Sequence, residues 1–283
     1  MKLDNQLKKE VKPFLKWAGG KTQLLDQLSM RLPLKFKRYF EPFIGGGALL
    51  FYLKPKYVFI NDINKALINT YTVIRDDYEK LIDYITKLDR YNEINETYYL
   101  SIRDMYNYHL RNDYYNLETA GLMIWLNKHC FNGLYRVNSS GEFNVPWSHG
   151  KSKSIDPLNI TRVGKYLKKI TISNIDFEEF VKDCRRDDFV YFDPPYIPES
   201  RTANFTSYNQ NDFGIEEHLR LAKVFKELSQ RKVFCMLSNS NTDFVKDLYK
   251  DFNIDLVEAK RSINVDSTKR TTKELIITNY TRF

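Results

Sequence analysis

The chain has 283 residues, 42% hydrophobic and 15% aromatic, enough for a full core in one large α/β domain or a domain with an insert. Lys and Arg total 44 against 36 Asp and Glu, and the net charge of +8 suits a polyanionic partner, although a basic surface alone often serves only solubility. Three distant cysteines (Cys130, Cys184, Cys235) without a C-x-x-C, and histidines in no ligand-spaced cluster, argue against a disulfide framework and a metal site; no apolar run reaches membrane length and Met1 to Lys12 is unlike a signal peptide, so a soluble, cytoplasmic protein is expected.

The first motif in chain order is Trp17-Ala18-Gly19-Gly20-Lys21-Thr22. It superficially suggests a phosphate-binding loop, but such a loop needs glycine where Leu15 stands and a preceding apolar strand that is missing. Lys21 can instead pair with a cofactor carboxylate, and Trp17 can lie against a sulfonium or an adenine. Core packing is the ordinary alternative for the tryptophan.

A strand predicted over Tyr39–Phe43 then runs into Gly45-Gly46-Gly47 and the apolar helix Leu49–Leu53. Successive glycines let the backbone approach a ligand closely, with helix N–H groups nearby. A dinucleotide fingerprint would need glycine at Leu50. A second strand, Val58–Asn61, delivers Asp62 to accept bonds from ribose hydroxyls, or to cap the following helix. A nucleoside cofactor without a long pyrophosphate fits this pattern, and S-adenosylmethionine is one.

From about residue 71 to 159 the pattern turns helical and tyrosine-rich (Tyr91, Tyr98, Tyr99, Tyr106, Tyr108, Tyr114, Tyr115) and ends in a polar loop. This is read as a helical insert dividing a catalytic α/β domain of residues 1–70 and 160–283. Strands are predicted over Thr171–Ser173, Phe189–Phe192, Val233–Leu237, Asp255–Ala259 and Leu275–Thr278, the last two as an antiparallel edge hairpin. Leu221, Val224, Phe225 and Leu228 keep helical spacing, as do Val245, Leu248, Tyr249 and Phe252.

The most informative residues are Asp193-Pro194-Pro195-Tyr196, directly after the apolar strand Phe189–Phe192. Two prolines force a sharp turn at the carboxyl end of a strand, where open α/β sheets bind ligands. The turn suits an exocyclic amino group: Asp193 accepts one N–H, the Pro194 carbonyl accepts the other, and Tyr196 stacks on the ring. A strand-ending turn with a packed tyrosine is the plain alternative.

Taken together, Phe14 to Lys21, Glu41 to Gly47, Asn61 to Asn64 and Asp193 to Tyr196 resemble the Dam family (group α, D12 class) of DNA adenine-N6 methyltransferases. The resemblance spans Pro13 to Tyr280. It implies a Rossmann-like, class I S-adenosylmethionine-dependent sheet with an antiparallel C-terminal hairpin and a target-recognition insert. It implies cofactor contacts from Trp17, Lys21, Glu41, Phe43, Gly45, Gly47, Asp62 and Asp193. Asp176 and Phe177 stand where the family binds the cofactor adenine, although the two residues alone read equally well as a helix start. The stretch Phe131 to Asn138, followed by Gly141 to Pro146, is similar to the family's recognition segment. It implies Phe131 beside an opened base pair, Leu134 on a thymine methyl and Arg136 on a guanine, with Asn132 as a further DNA contact and Lys16 on the first guanine of GATC. His149 stands where relatives carry an arginine, which moves or weakens one phosphate contact, with Lys151 and Lys153 as substitutes.

The implied reaction transfers a methyl group to N6 of a flipped adenine in double-stranded DNA, with Asp193 and the Pro194 carbonyl holding the amine. The loop Thr202–Tyr208 closes over the site in this reading, and Lys260-Arg261, Lys269-Arg270 and Lys273 meet phosphates or solvent. A cognate restriction endonuclease is a functional partner of such an enzyme. Rival readings are an RNA or protein-glutamine methyltransferase of the same fold, and a catalytically silent DNA-binding regulator.

Overall fold

The computed structural model describes residues 11–89, 94–150, 152–197, 213–260 and 271–281. The loop Thr202–Tyr208, Tyr91, Lys151, and Arg261, Lys269 and Arg270 of the basic run lie outside them. The chain divides into two units: Met1–Gly20, Gly45–Lys54 and Asp62–Asn174 form one, and Lys21–Ile44, Pro55–Asn61 and Ile175–Phe283 form the other.

The second unit carries most of the sheet. Its strands are β1 (Tyr39–Glu41), β2 (Val58–Asn61), β4 (Phe189–Phe192), β5 (Phe234–Ser240), β6 (Asn253–Lys260) and β7 (Thr271–Thr278); β3 (Ile170–Ser173) belongs to the first unit. The seven strands follow the order β3-β2-β1-β4-β5-β7-β6. β1 pairs in parallel with β2 and β4, and β4 with β5. β7 runs antiparallel to both β5 and β6. This is the mostly parallel sheet with an antiparallel C-terminal hairpin that the pattern predicts. All four residues of β4 are buried, as a central parallel strand covered on both faces requires.

Chain order reverses between β1 and β4. Open α/β sheets bind ligands outside the carboxyl ends of strands at such a point, and Glu41 and Asp193 stand at those two ends. The sequence-predicted helix over Leu221 to Leu228 is part of α8 (Ile215–Gln230), and its four spaced apolar residues are all buried. They pack with Phe192, Cys235 and Ile277 into one core cluster.

Strand ends moved where polar residues hid the alternation. β1 stops at Glu41 rather than Phe43, because Pro42 has no N–H for the ladder. β5 continues through Ser238, Asn239 and Ser240, all buried, with Ser238 Oγ 2.8 Å from the Tyr191 hydroxyl.

The first unit is helical: α2 (Ala48–Leu53), α3 (Lys65–Asp89), α4 (Glu96–Arg111), α5 (Leu117–His129) and α6 (Pro157–Leu167); the short α1 (Leu25–Ser29), α7 (Phe177–Val181) and α9 (Asp243–Leu248) join α8 in the second. Asn95, Asn116 and Asp156 cap α4, α5 and α6 with side-chain oxygens. On α4, Tyr99, Ile102, Tyr106 and His109 turn inward at helical spacing. α5 is buried on all sides from Thr119 to Asn127, so it is the central helix of this unit. Among the described residues no helix is long and apolar enough to cross a membrane.

Candidate active site and DNA-reading segments

In the second unit the proline turn carries a charged cluster. Lys21 Nζ lies 2.9 Å from Asp193 Oδ1, with the lysine buried. The same ammonium stands 4.6 Å from the centre of the Tyr196 ring. Lys21, expected to meet a cofactor carboxylate, thus has its ammonium on Asp193. Burial pushes the Asp193 carboxyl above its ordinary range, Lys21 opposes this, and the Glu274 charge adds to it. The Tyr196 hydroxyl donates to Glu274 Oε2 at 2.8 Å, and burial followed by the Asp193 and Glu274 charges holds that phenol neutral. Glu274 escapes sequence reasoning because it sits in a strand, β7, whose pattern carries no separate signal.

Glu41, at the end of β1, is buried and accepts from the Tyr39 hydroxyl at 2.7 Å. The half-buried Phe43 ring stands 5.5 Å from Phe177. Asp176 caps α7, accepting from the Glu178 N–H at 2.9 Å. It also takes two hydrogen bonds from Arg220, at 3.0 and 2.7 Å. Its partial burial is outweighed by Arg220, which holds the carboxyl below its ordinary range. The helix-start geometry is therefore present, with Arg220 a partner that the sequence does not announce. Asn61 is a further unpredicted link, donating to the carbonyls of Pro42 and Ile175 and accepting from the Ile175 N–H.

The first unit holds the glycine turn. Gly45 N–H donates to Asp62 Oδ2 at 3.1 Å, and Asn64 N–H donates to Asp62 Oδ1 at 3.0 Å. Asp62 does not cap the next helix; Asn64 does, accepting from the Leu67 N–H. Desolvation raises the Asp62 pKa to about 6 against the pull of the N–H groups of Asn64, Gly45 and Ile63. Gly45 has φ +46°, and a Cβ there would stand 2.7 Å from Trp17 Cδ1, so only glycine admits the indole. Gly47 immediately precedes α2. Trp17 stacks on Tyr135, ring centres 5.0 Å apart. Tyr135 was not singled out in the sequence.

The predicted recognition stretch also lies in the first unit. Phe131 is 52% exposed. Asn132 has φ +57° in the turn that follows, Leu134 is half-buried, and Arg136 and Lys16 are exposed. Arg136 Nε donates to Asn144 Oδ1 at 2.8 Å, a contact that steadies the guanidinium. Trp147 lies 4.6 Å from the ring of His149, the residue that departs from the resemblance.

Residues 17–263 match the family model described as D12 class N6 adenine-specific DNA methyltransferase. The chain belongs to that family. The methyltransferase is 45% identical to the Type II methyltransferase M.MjaIII of Methanocaldococcus jannaschii, over 96% of its own length and 100% of the relative's. It is 43% identical to the Type II methyltransferase M1.LlaDCHI of Lactococcus lactis, over 99% of both chains. The DNA adenine methylase of Escherichia coli is 30% identical over 95% of each. The expectation of an adenine-specific DNA methyltransferase drawn from the four motifs is thereby met.

Proposed function

We propose that this DNA adenine methyltransferase takes its methyl group from S-adenosylmethionine and reads GATC in double-stranded DNA. The cofactor supplies an electrophilic methyl on a positively charged sulfonium. The residues present fit such a molecule. Both Asp62 oxygens already accept backbone N–H bonds, yet each carboxylate oxygen has a second lone pair for a ribose hydroxyl. Phe43 and Phe177 offer paired rings for a purine, and Asp176 an acceptor for its amino group. Glu41, Gly45, Gly47, Trp17 and Lys21 complete the set of cofactor residues in this reading.

The observation that carries the catalytic assignment is the mostly buried Asp193 carboxylate beside Lys21, in a rigid proline turn with Tyr196. An adenine amine is a poor nucleophile because its lone pair is delocalised into the ring. Asp193 and the Pro194 carbonyl accept its two hydrogens and turn the lone pair outward, while Pro195 keeps the turn rigid. The Asp193 charge then stabilises the positive charge that grows on nitrogen. Lys21 draws that carboxyl toward its ionised form against desolvation. Tyr196, tethered by Glu274, presents a ring on which a flipped base stacks.

Lys16, Phe131, Asn132, Leu134 and Arg136 are assigned to DNA, the exposed Phe131 as the ring that fills the gap left by the base. Relatives named Type II methyltransferases support a companion restriction endonuclease as a functional partner. The cytoplasm is the compartment where that work would be done. The site is tested by methylating unmodified plasmid and challenging it with nucleases blocked by GATC adenine methylation. Protection is expected; full cleavage after verified methyl incorporation overturns the GATC assignment and leaves the adenine chemistry standing.

A further inference from the structure

Asn127 stands near the end of α5, buried in a helix that is otherwise apolar through Ala120 to Leu126. Its amide makes three hydrogen bonds, to the backbone of Lys16 and to that of Gly133. Asn127 Oδ1 accepts from the Lys16 N–H at 2.9 Å. Its Nδ2 donates to the Lys16 carbonyl at 2.9 Å and to the Gly133 carbonyl at 2.9 Å. Exchanging oxygen and nitrogen would set N–H against N–H and carbonyl against carbonyl, so the orientation is unique. Gly133 supports the same join independently. It has φ +66°, and a Cβ there would stand 2.5 Å from Lys16 Cδ.

One buried amide and one bare glycine therefore fix the spacing between the backbone of Lys16 and the turn that leads into Leu134 and Arg136. We infer that Asn127 is the positioning residue that sets the register of the two base-reading segments, and hence sequence discrimination rather than methyl transfer itself. The inference rests on the proposed reading of bases by Lys16 and Arg136. The physical logic is the tolerance of bidentate base contacts. Each discriminates only while donor and base edge are aligned, and each accounts for on the order of tenfold or more against a wrong base.

The test uses the full-length protein and the site it methylates best, mapped first from adenine methylation on plasmid. Asn127→Asp keeps size and the acceptor but loses both donated bonds, and sets a carboxylate against two carbonyls. Steady-state rates are then measured on duplexes carrying the mapped site or single substitutions of its outer base pairs, beside Arg136→Ala and Lys16→Ala. The expected result is a cognate-to-substituted ratio lowered on the order of tenfold, with the loss mainly in KM for DNA and cofactor affinity unchanged. An unchanged ratio in Asn127→Asp, with the ratio lost in Arg136→Ala, overturns the positioning role alone. An unchanged ratio in Arg136→Ala and Lys16→Ala overturns the base-reading assignment and this inference with it. If Asn127→Asp fails to fold, Gly133→Ala decides: it leaves the amide in place, forces the Lys16 side chain aside, and is expected to give the same KM-weighted loss of discrimination.

Discussion

Lys21 and Asp193 form an ion pair at 2.9 Å in which 5% of the lysine side chain and 19% of the aspartate side chain remain exposed. Desolvation pushes the carboxyl above its ordinary range and Lys21 opposes that push; a protonated carboxyl accepts an amine hydrogen poorly. In the proposed reaction the lysine favours the ionised form that accepts the amine hydrogen.

Removing that lysine is therefore expected to act through pH. Asp193 has a raised folded-state pKa, so its ionised form is lost as pH falls, and Lys21→Met raises the pKa further. The acid limb of the rate profile should move to higher pH, with much of the activity returning under alkaline conditions. The uncompensated buried charge should also destabilise the fold by about 3 kcal/mol, and Asp193→Asn in the same chain should restore most of it. Rate–pH profiles and thermal melts check both statements.

Tyr196 and Glu274 make one hydrogen bond to a charged acceptor, and their effects should not add. Tyr196→Phe and Glu274→Ala are each expected to lower kcat by about tenfold, consistent with a bond of roughly 1.5–3 kcal/mol. The double variant should resemble either single one. Additive losses in the double-mutant cycle would mean that Glu274 does not act through the ring.

Asp62 makes stability depend on pH in a particular direction. Its folded-state pKa of about 6 lies above its ordinary value of 3.8. The folded state thus binds the proton more tightly, and this contribution to stability is present below about pH 4 and lost as pH rises through about 6. Asp62→Asn removes the dependence, so the stability of the variant relative to the native chain should rise across that window, on the order of 2 kcal/mol. Denaturant melts at a series of pH values check it. Cofactor binding should weaken at every pH, since one of the two oxygens proposed to accept from the ribose becomes an NH2 donor.

Phe131 is expected to separate folding from function. With 52% of its surface exposed, Phe131→Ala should change stability by less than about 0.5 kcal/mol. Methylation of duplex DNA should fall while an adenine in a mismatch, already easier to open, is methylated with a smaller loss. Parallel assays on paired and mismatched substrates provide the comparison.

Much of the sheet was legible because buried parallel strands are short runs of β-branched and aromatic residues. Val58–Asn61 and Phe189–Phe192 have the predicted ends. The end that moved at Ser238 to Ser240 involves buried polar side chains, with Ser238 bonded to Tyr191 and Ser240 to the Ile197 carbonyl, which no alternation encodes. The proline turn was legible as chemistry for the same reason it is rigid: two prolines and a carboxylate leave few conformations. Glu274, Arg220 and Tyr135 were not legible, because each acquires its meaning from a partner far away in sequence. Asn127 leaves a faint signal as the one amide in α5, directly after the apolar run Ala120 to Leu126.

The central claim, that Asp193 is the acceptor on which methyl transfer to adenine depends, is tested most directly by Asp193→Ala. Incorporation of label from methyl-labelled S-adenosylmethionine into unmethylated duplex DNA should fall to background, while binding of the same duplex persists in a gel-shift or anisotropy titration. Appreciable turnover in a folded, DNA-binding Asp193→Ala protein would contradict the account.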